Sequence, residues 1–351
     1  MPVPDGGVRR HFASDNWAGA HPEVLAAVQA ASAGHAPSYG DDDWTRRAEA
    51  GVRRLLGEGV APYFVFGGTA ANVLGLATRL RPWQAVLCAD VAHLQVDECG
   101  ALERFAGSKL LLVPTTDGRL RPDAVRERIV GLGVVHHAQP AALSLTQSTE
   151  YGTVYAPDEI AALAALARAH GLLLHMDGAR LANAAASLGC ALRALTFDAG
   201  VDILSFGGTK NGLLGAEAVV FRDAALAEGF GYVRKQGMGL ASKQRFVSAQ
   251  FAALLDGDLW RRSAAHANLM AARLAAAVRD VPGVRLTQPV QANAVFAVIP
   301  RAAVAPLQRE AMFYVWNEAT SEVRWMTSFD TTDADVDRFA AAIARIVPGA
   351  A

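Results

Sequence analysis

The sequence predicts a large α/β domain, a mainly parallel seven-stranded sheet between helices, followed by a smaller C-terminal α+β domain. Three observations carry this expectation. Short apolar runs alternate with Ala-rich helical stretches through most of the 351 residues. Most of those runs are continuously apolar, as strands covered on both faces are. Near residue 243 the alternation gives way to two long helical patterns, then to short strand-like runs separated by tight turns.

In order, strands are expected at 63–66 (YFVF), 85–89 (AVLCA), 109–114 (KLLLVP), 141–146 (AALSLT), 172–177 (LLLHMD), 203–207 (ILSFG) and 217–221 (EAVVF). Apolar residues recur at helical spacing over 45–56, 70–80, 122–130, 157–170 and 179–188. The start at 157 is the clearest. Pro157 presets the first turn, and Asp158 and Glu159 put acid at the helix N-terminus. Beyond 243, helices at 243–256 and 258–280 lead into VRLTQ, AVFAVI, MFYVW and VRWMTSF, with a last helix at 333–346. The domain organisation read from this pattern is an N-terminal arm over 1–44 that contributes to the small domain and an interface. A large ligand-binding domain over 45–245 and a small domain over 246–351 follow.

Composition bounds the function. The chain is 52% hydrophobic and 19% charged with a net charge of −1, which is globular and gives no electrostatic reason to bind nucleic acid or an anionic membrane. Cys88, Cys99 and Cys190 are scattered without CxxC spacing and read as reduced thiols, not as a disulfide frame or a zinc site. The opening MPVPDGGVRRHF lacks the apolar core of a leader peptide. The most apolar helical stretch, IAALAALARAHGLLLHM, is broken by Arg168, His170 and Gly171 and is not expected to span a bilayer. A soluble, cytoplasmic protein is the expectation.

Three stretches carry chemistry. In FGGTAANVLGLAT (66–78), Gly67, Gly68 and Thr69 stand where a strand turns into a helix. Free amides at a helix N-terminus form an anion cradle, although Thr69 can equally serve as a plain cap. The stretch is neither a Walker loop nor a GxGxxG turn. In LLLHMDGARLANA (172–184), Asp177 ends an apolar strand, at the end of an α/β sheet where ligands bind. A carboxylate there can keep a heterocyclic nitrogen protonated; it can also merely cap the helix and pair with Arg180. In DILSFGGTKNGLLGAEAVVF (202–221), Lys210 sits between two glycine-rich turns one βαβ step later. A desolvated lysine becomes nucleophilic toward carbonyls, whereas an exposed loop lysine does nothing of the kind.

Taken together, a phosphate cradle, an acid for a ring nitrogen and an imine-forming lysine meet the three demands that pyridoxal 5'-phosphate makes of a protein. At this point a resemblance becomes specific. The sequence resembles the low-specificity L-threonine aldolases, in the aspartate-aminotransferase fold group (fold type I of the pyridoxal-phosphate enzymes). The likeness runs over nearly the whole chain. It is carried by ASDNWAGAHPEVLAAV, PSYGDDDWTRRAE, FVFGGTAAN, HMDGARLANA and SFGGTKNGLLGAEAVV, with HMDGAR the most specific and Gly67 where serine is usual.

The resemblance implies roles. Lys210 would bond the cofactor aldehyde and Asp177 would face the pyridine nitrogen. Gly67, Gly68 and Thr69 would hold phosphate. Arg180 would serve the cofactor's phenolic oxygen and the substrate carboxylate, with Ser14 and Arg324 as further carboxylate-binding positions. His93 falls where the family stacks an imidazole on the cofactor ring, and is the favoured base for the substrate hydroxyl. Of the adjacent His136 and His137, the second better matches a family histidine near the substrate. Tyr39 and Lys235 correspond to segments that cross a subunit interface, and the family suggests a homotetramer built from dimers. Two departures stand out: Thr146-Gln147 where many relatives have Glu-Asn, and GMGLASK in place of the usual glycine run.

The expected reaction is retro-aldol cleavage of an L-3-hydroxy-α-amino acid, with L-threonine or L-allo-threonine giving glycine and acetaldehyde. The alternative on the same fold is a β-eliminating lyase, or another decarboxylase or transaminase, which shares the use of Lys210 and Asp177 but needs no base at the β-hydroxyl. A binding module without catalysis would leave Lys210 an ordinary loop lysine. A Rossmann dehydrogenase is disfavoured by the missing GxGxxG turn and ribose-binding acid.

Overall fold

The computed structural model describes residues 10–350. The leader reading of residues 1–9 and the outermost limits of the expected domains therefore lie outside the described residues.

All seven expected strands of the large sheet form: β1 (Ala61–Val65), β2 (Gln84–Ala89), β3 (Lys109–Val113), β4 (Gln139–Thr146), β5 (Leu173–Gly178), β6 (Ile203–Gly207) and β7 (Glu217–Phe221). Their order across the sheet is β1-β7-β6-β5-β4-β2-β3. Strands β3, β2, β4, β5 and β6 are mutually parallel, and β7 is antiparallel to both β6 and β1. The central strands are buried along their length, the pattern β6 and β7 show at every residue. Helices cover both faces of the sheet, which is why these strands read as unbroken apolar runs.

The second sheet is antiparallel and comprises β8 (Arg285–Leu286), β9 (Ala294–Val298), β10 (Tyr314–Asn317) and β11 (Glu322–Met326), in the order β10-β11-β9-β8. Its core joins Val295, Ala297, Val323 and Trp325 to Phe339 and Ile343 of the last helix, Asp333–Ile346. Thr332 caps that helix, its hydroxyl accepting from the Asp335 N–H while the Asp335 carboxylate returns to Thr332. The helix Leu259–Val278 belongs to both cores. Leu259, Trp260 and Ala264 pack with the large sheet, and Met270, Leu274 and Val278 with the small one.

Several elements differ from the sequence expectation. The helix expected over 122–130 ends at Arg126, where only one turn forms. The VRLTQ run yields the two-residue strand β8. Helices at Pro22–Ala31, Phe230–Gln236 and Arg301–Glu310 are additions to the expected set. The first buries only Val24 and Ala31, the second only Phe230, and the third contains Pro306. Among the described residues no helix is long and apolar enough to cross a membrane.

Candidate active site

The parallel strands of the large sheet present their carboxyl ends along one edge. Register sets Thr146, Asp177 and Ser205 side by side at the ends of β4, β5 and β6. It likewise aligns Gly207, Glu217 and Val65 across β6, β7 and β1. From this edge depart the helix Gly68–Ala77, the single-turn helix His93–Val96 and the 3-10 turn Thr209–Asn211 that carries Lys210. Gly207 is required at the crossing. A Cβ there would lie 2.4 Å from the Ala179 carbonyl oxygen, so the turn after Asp177 could not approach the end of β6.

Asp177 is buried and fully engaged. Its Oδ1 accepts from the Ala179 N–H at 3.0 Å, and its Oδ2 from Asn72 Nδ2 at 2.8 Å. The same Asn72 amide donates to Glu98 Oε1 at 2.9 Å, and Glu98 Oε1 also meets His93 Nδ1 at 2.9 Å. One asparagine thus ties two carboxylates and an imidazole together. Burial opposes ionisation of Asp177, but the charges of Lys210 and His93, with the two donated hydrogen bonds, hold its carboxyl below the usual range. The hydrogen bond to Glu98 raises the proton affinity of His93, against its burial. His175, two residues before Asp177, lies between the hydroxyls of Ser144 and Ser205, and burial lowers it to about 4.

Lys210 is half-buried, and among the described residues no carboxylate lies within ion-pair distance of it. Burial and then the Arg180 charge lower its proton affinity, against Asp15, Asp177 and Glu217. An amine so placed reaches its neutral, nucleophilic form more readily. Glu217 stands behind the turn, its Oε2 accepting from the Gly208 N–H at 2.8 Å, and burial pushes its carboxyl up to about 7. At the other side of the edge, the first-turn amides of the helix Gly68–Ala77 have no partner within the helix. A Cβ built on Gly67 or Gly68 meets nothing within 4 Å, which leaves open space over those amides. The arrangement fits pyridoxal 5'-phosphate: an anion cradle, an ionised acid and a deprotonatable lysine on one sheet edge.

The expected carboxylate-binding residues divide. Arg180 is held by the buried Asp15, through Nε at 2.7 Å and Nη2 at 2.9 Å, and Asn293 donates to the same carboxylate at 3.1 Å. Ser14 serves locally, accepting from the Asn16 N–H at 3.2 Å to cap the 3-10 turn Asp15–Trp17. Arg324 is the freer cation. Its Nη2 donates to the Ala13 carbonyl at 3.3 Å, its buried Nε has no partner among the described residues, and its guanidinium packs on Trp316 and Tyr314. Burial, with repulsion from Arg180, lowers it to about 10, so it stays charged near neutral pH. Beside it opens a cavity of about 550 Å3 lined by Arg324, Trp316, Tyr314, Tyr151, Asp97 and Val96.

One expectation, for His137, meets a different placement within this chain. His137, with His136, lies in the exposed loop before β4, around a surface hollow shared with Lys109 and Arg128. That is the amino end of β4, an eight-residue strand from Thr146, and so roughly 25 Å from the Asp177 edge. This chain does not bring His137 to Lys210. Tyr39 is exposed, in a left-handed backbone conformation with φ 63°, and its ring faces Lys235 Nζ at 5.0 Å. Sequence reasoning missed Asp15, Asn72, Glu98, Glu150 and Glu217. A signal existed for Asn72 and Glu217, each a polar residue inside an otherwise apolar run. None singles out Glu98 or Glu150.

Comparison with known proteins agrees with this geometry. The sequence model of the beta-eliminating lyase family matches residues 11–301. The chain is 44% identical to a low specificity L-threonine aldolase of a Pseudomonas species over 96% of this chain and 98% of that one. It is 45% identical to one from Pseudomonas aeruginosa over 97% and 99%. A solved Leishmania major threonine aldolase superposes with a TM-score of 0.90 at 29% identity, covering 95% of this chain and 98% of that one. Aspartate aminotransferase from Thermus thermophilus shares the fold, with a TM-score of 0.69 at 17% identity, over 96% of this chain and 90% of that one.

Proposed function

Because the chain belongs to the beta-eliminating lyase family and to its low specificity L-threonine aldolases, a lyase of fold type I, we propose that it cleaves L-threonine and L-allo-threonine to glycine and acetaldehyde with pyridoxal 5'-phosphate. The observation that carries this reading is the Asn72 bridge, which joins the ionised Asp177 to the Glu98–His93 pair on the edge that also carries Lys210.

Bound pyridoxal phosphate supplies the electron sink that accepts the pair released when the Cα–Cβ bond breaks. Lys210 would offer the amine for its aldehyde, and Asp177 would place a fixed negative charge for its ring nitrogen. The amides of Gly67, Gly68 and Thr69 would hold its phosphate. Arg324 binds the substrate carboxylate, with the Asp15-held Arg180 fixing the wall beside it. That clamp would fix the orientation of the bonds at Cα and so select which of them is labile. His93 takes the proton of the β-hydroxyl, and its raised affinity for protons suits a base working near neutral pH. We read the arm 1–44 and the unit 246–351 as supplying the carboxylate clamp, and 45–245 as supplying the cofactor site.

The test is direct. Purified protein supplied with pyridoxal phosphate and either threonine diastereomer is expected to release acetaldehyde and glycine. Pyruvate and ammonia from serine or cysteine, with no acetaldehyde from threonine, would mean a β-eliminating lyase instead. We further propose a cytoplasmic homotetramer. Tyr232 and Met238 stand 82% and 73% exposed on and just after one short helix, an apolar surface suited to a second copy. Sedimentation giving a monomer at micromolar concentration would refute that assembly.

A further inference from the structure

One half-buried acid at the site has no part in the chemistry above. Glu150 lies in the loop after β4. Its Oε1 accepts from the His93 backbone N–H at 2.9 Å and from the Thr146 hydroxyl at 2.8 Å. Its Oε2 is buried with no partner among the described residues. Thr146 is the register neighbour of Asp177, so Glu150 spans the gap between the end of β4 and the helix that His93 opens. The loop is stiff. Gln147 exchanges hydrogen bonds with the Tyr155 backbone, and Thr149 and Thr153 share a 2.7 Å contact, with Thr153 also bonded to the Asp117 carbonyl. A loop so braced holds its carboxyl in one place.

We propose that Glu150 is a positioning residue for the reaction, whose anionic form fixes His93 over the sheet edge and whose protonation loosens it. This rests on the reading of His93 as the base. The groups facing Glu150 are His93 beyond β2, Cys88 on β2, Thr146 on β4, Tyr155 after β4, Asp177 on β5 and Arg180 after it. Its environment supports a charge change in the working range. Burial raises the carboxyl to about 7, with Asp177 adding to the rise, while the Thr146 and His93 hydrogen bonds oppose it. Ionised, the carboxylate makes two charge-assisted bonds; neutral, it makes two weaker ones.

The experiment is a pH series of kcat and KM for threonine cleavage by the loaded enzyme, run on the parent, Glu150→Gln, Glu150→Ala and Thr146→Val. Histidine-ring NMR titrations of the cofactor-free proteins accompany it. Glu150→Gln keeps an acceptor for His93 but is locked neutral. It is expected to lose about threefold to tenfold in plateau kcat, with KM little changed, and to shift the acid limb and the His93 titration to lower pH. Glu150→Ala is expected to lose more. Thr146→Val removes a donor to the anion, so its acid limb moves up. A Glu150→Gln enzyme with the parent's plateau, acid limb and His93 titration overturns the proposal, as does a loss confined to KM. Should the Glu150 variants not fold, an unchanged acid limb in Thr146→Val overturns it. A parent without threonine cleavage sinks the proposed function alone, because the His93 titration still judges the positioning role.

Discussion

The two ends of the large sheet offer a controlled contrast, since the same strands run through both. At the carboxyl end, Asp177, Glu98 and Glu217 are buried and hydrogen-bonded to backbone or amide donors, and the proton affinities of Asp177 and Glu217 are shifted by burial and by neighbouring charges. At the amino end of β4, His136 and His137 stand in solvent around a shallow hollow with Lys109 and Arg128. The residue types are no less reactive there. What differs is the company each keeps: parallel strands release their chains into turns at one edge only, and those turns converge on a shared crevice. Chemistry follows the edge, not the residue type.

Breaking the carboxyl edge should therefore have effects far larger than altering the amino one. The largest is expected for Lys210→Ala, which removes the amine and should all but abolish threonine cleavage together with the visible band of the pyridoxal-loaded protein. Near-parental turnover with that band intact would overturn the assignment. Arg324→Ala takes away one charged contact, worth roughly 1.5–3 kcal/mol, so kcat/KM should fall about 10- to 100-fold in steady-state assays.

Glu217→Gln probes the edge through stability. The folded Glu217 carboxyl rises from an ordinary 4.5 to about 7, above its unfolded value. Its favourable contribution is fully present below about 4.5 and is lost as pH rises through about 7. The substituted amide keeps an acceptor for the Gly208 N–H but never ionises. Cofactor-free Glu217→Gln is thus expected to melt at least roughly 2 °C higher than the parent above pH 8, and at the same temperature below pH 5, by calorimetry. Equal melting at both pH values would mean that the carboxyl is not strained by its burial. The smallest effect is expected for His137→Ala, within about 0.5 kcal/mol in stability and about threefold in kcat/KM. A tenfold loss in turnover would sharpen the contrast in another direction, by bringing this loop to the crevice of a neighbouring copy.

The contrast also explains what is legible in the sequence. The seven strands are legible because strands covered on both faces need continuous apolar sequence, and LLLHMD and ILSFG have it. Asp177 and Lys210 are legible because each closely follows such a run. His137 precedes its strand, and that placement sets it at the amino edge of this chain's sheet. Asp15 is illegible because its partner Arg180 lies 165 residues along the chain, and Glu98 and Glu150 because each joins a near partner, His93 or Thr146, to a distant one, Asn72 or His93. Helix Pro22–Ala31 escapes because its inward stripe, Val24, Ala27, Val28 and Ala31, is short and half alanine, with only Val24 and Ala31 buried.

The position of β7 has a consequence for synthesis. Among the described residues strand β1 has no neighbour in the sheet except β7, and β7 is the last strand of the seven in the chain. While the ribosome is still translating the middle of the protein, the strand that leads into Gly67 and Gly68 lacks its sheet partner. The nascent crevice can be sealed only once Phe221 has cleared the exit tunnel, so chains truncated before that point should emerge with a fraying, chaperone-dependent margin.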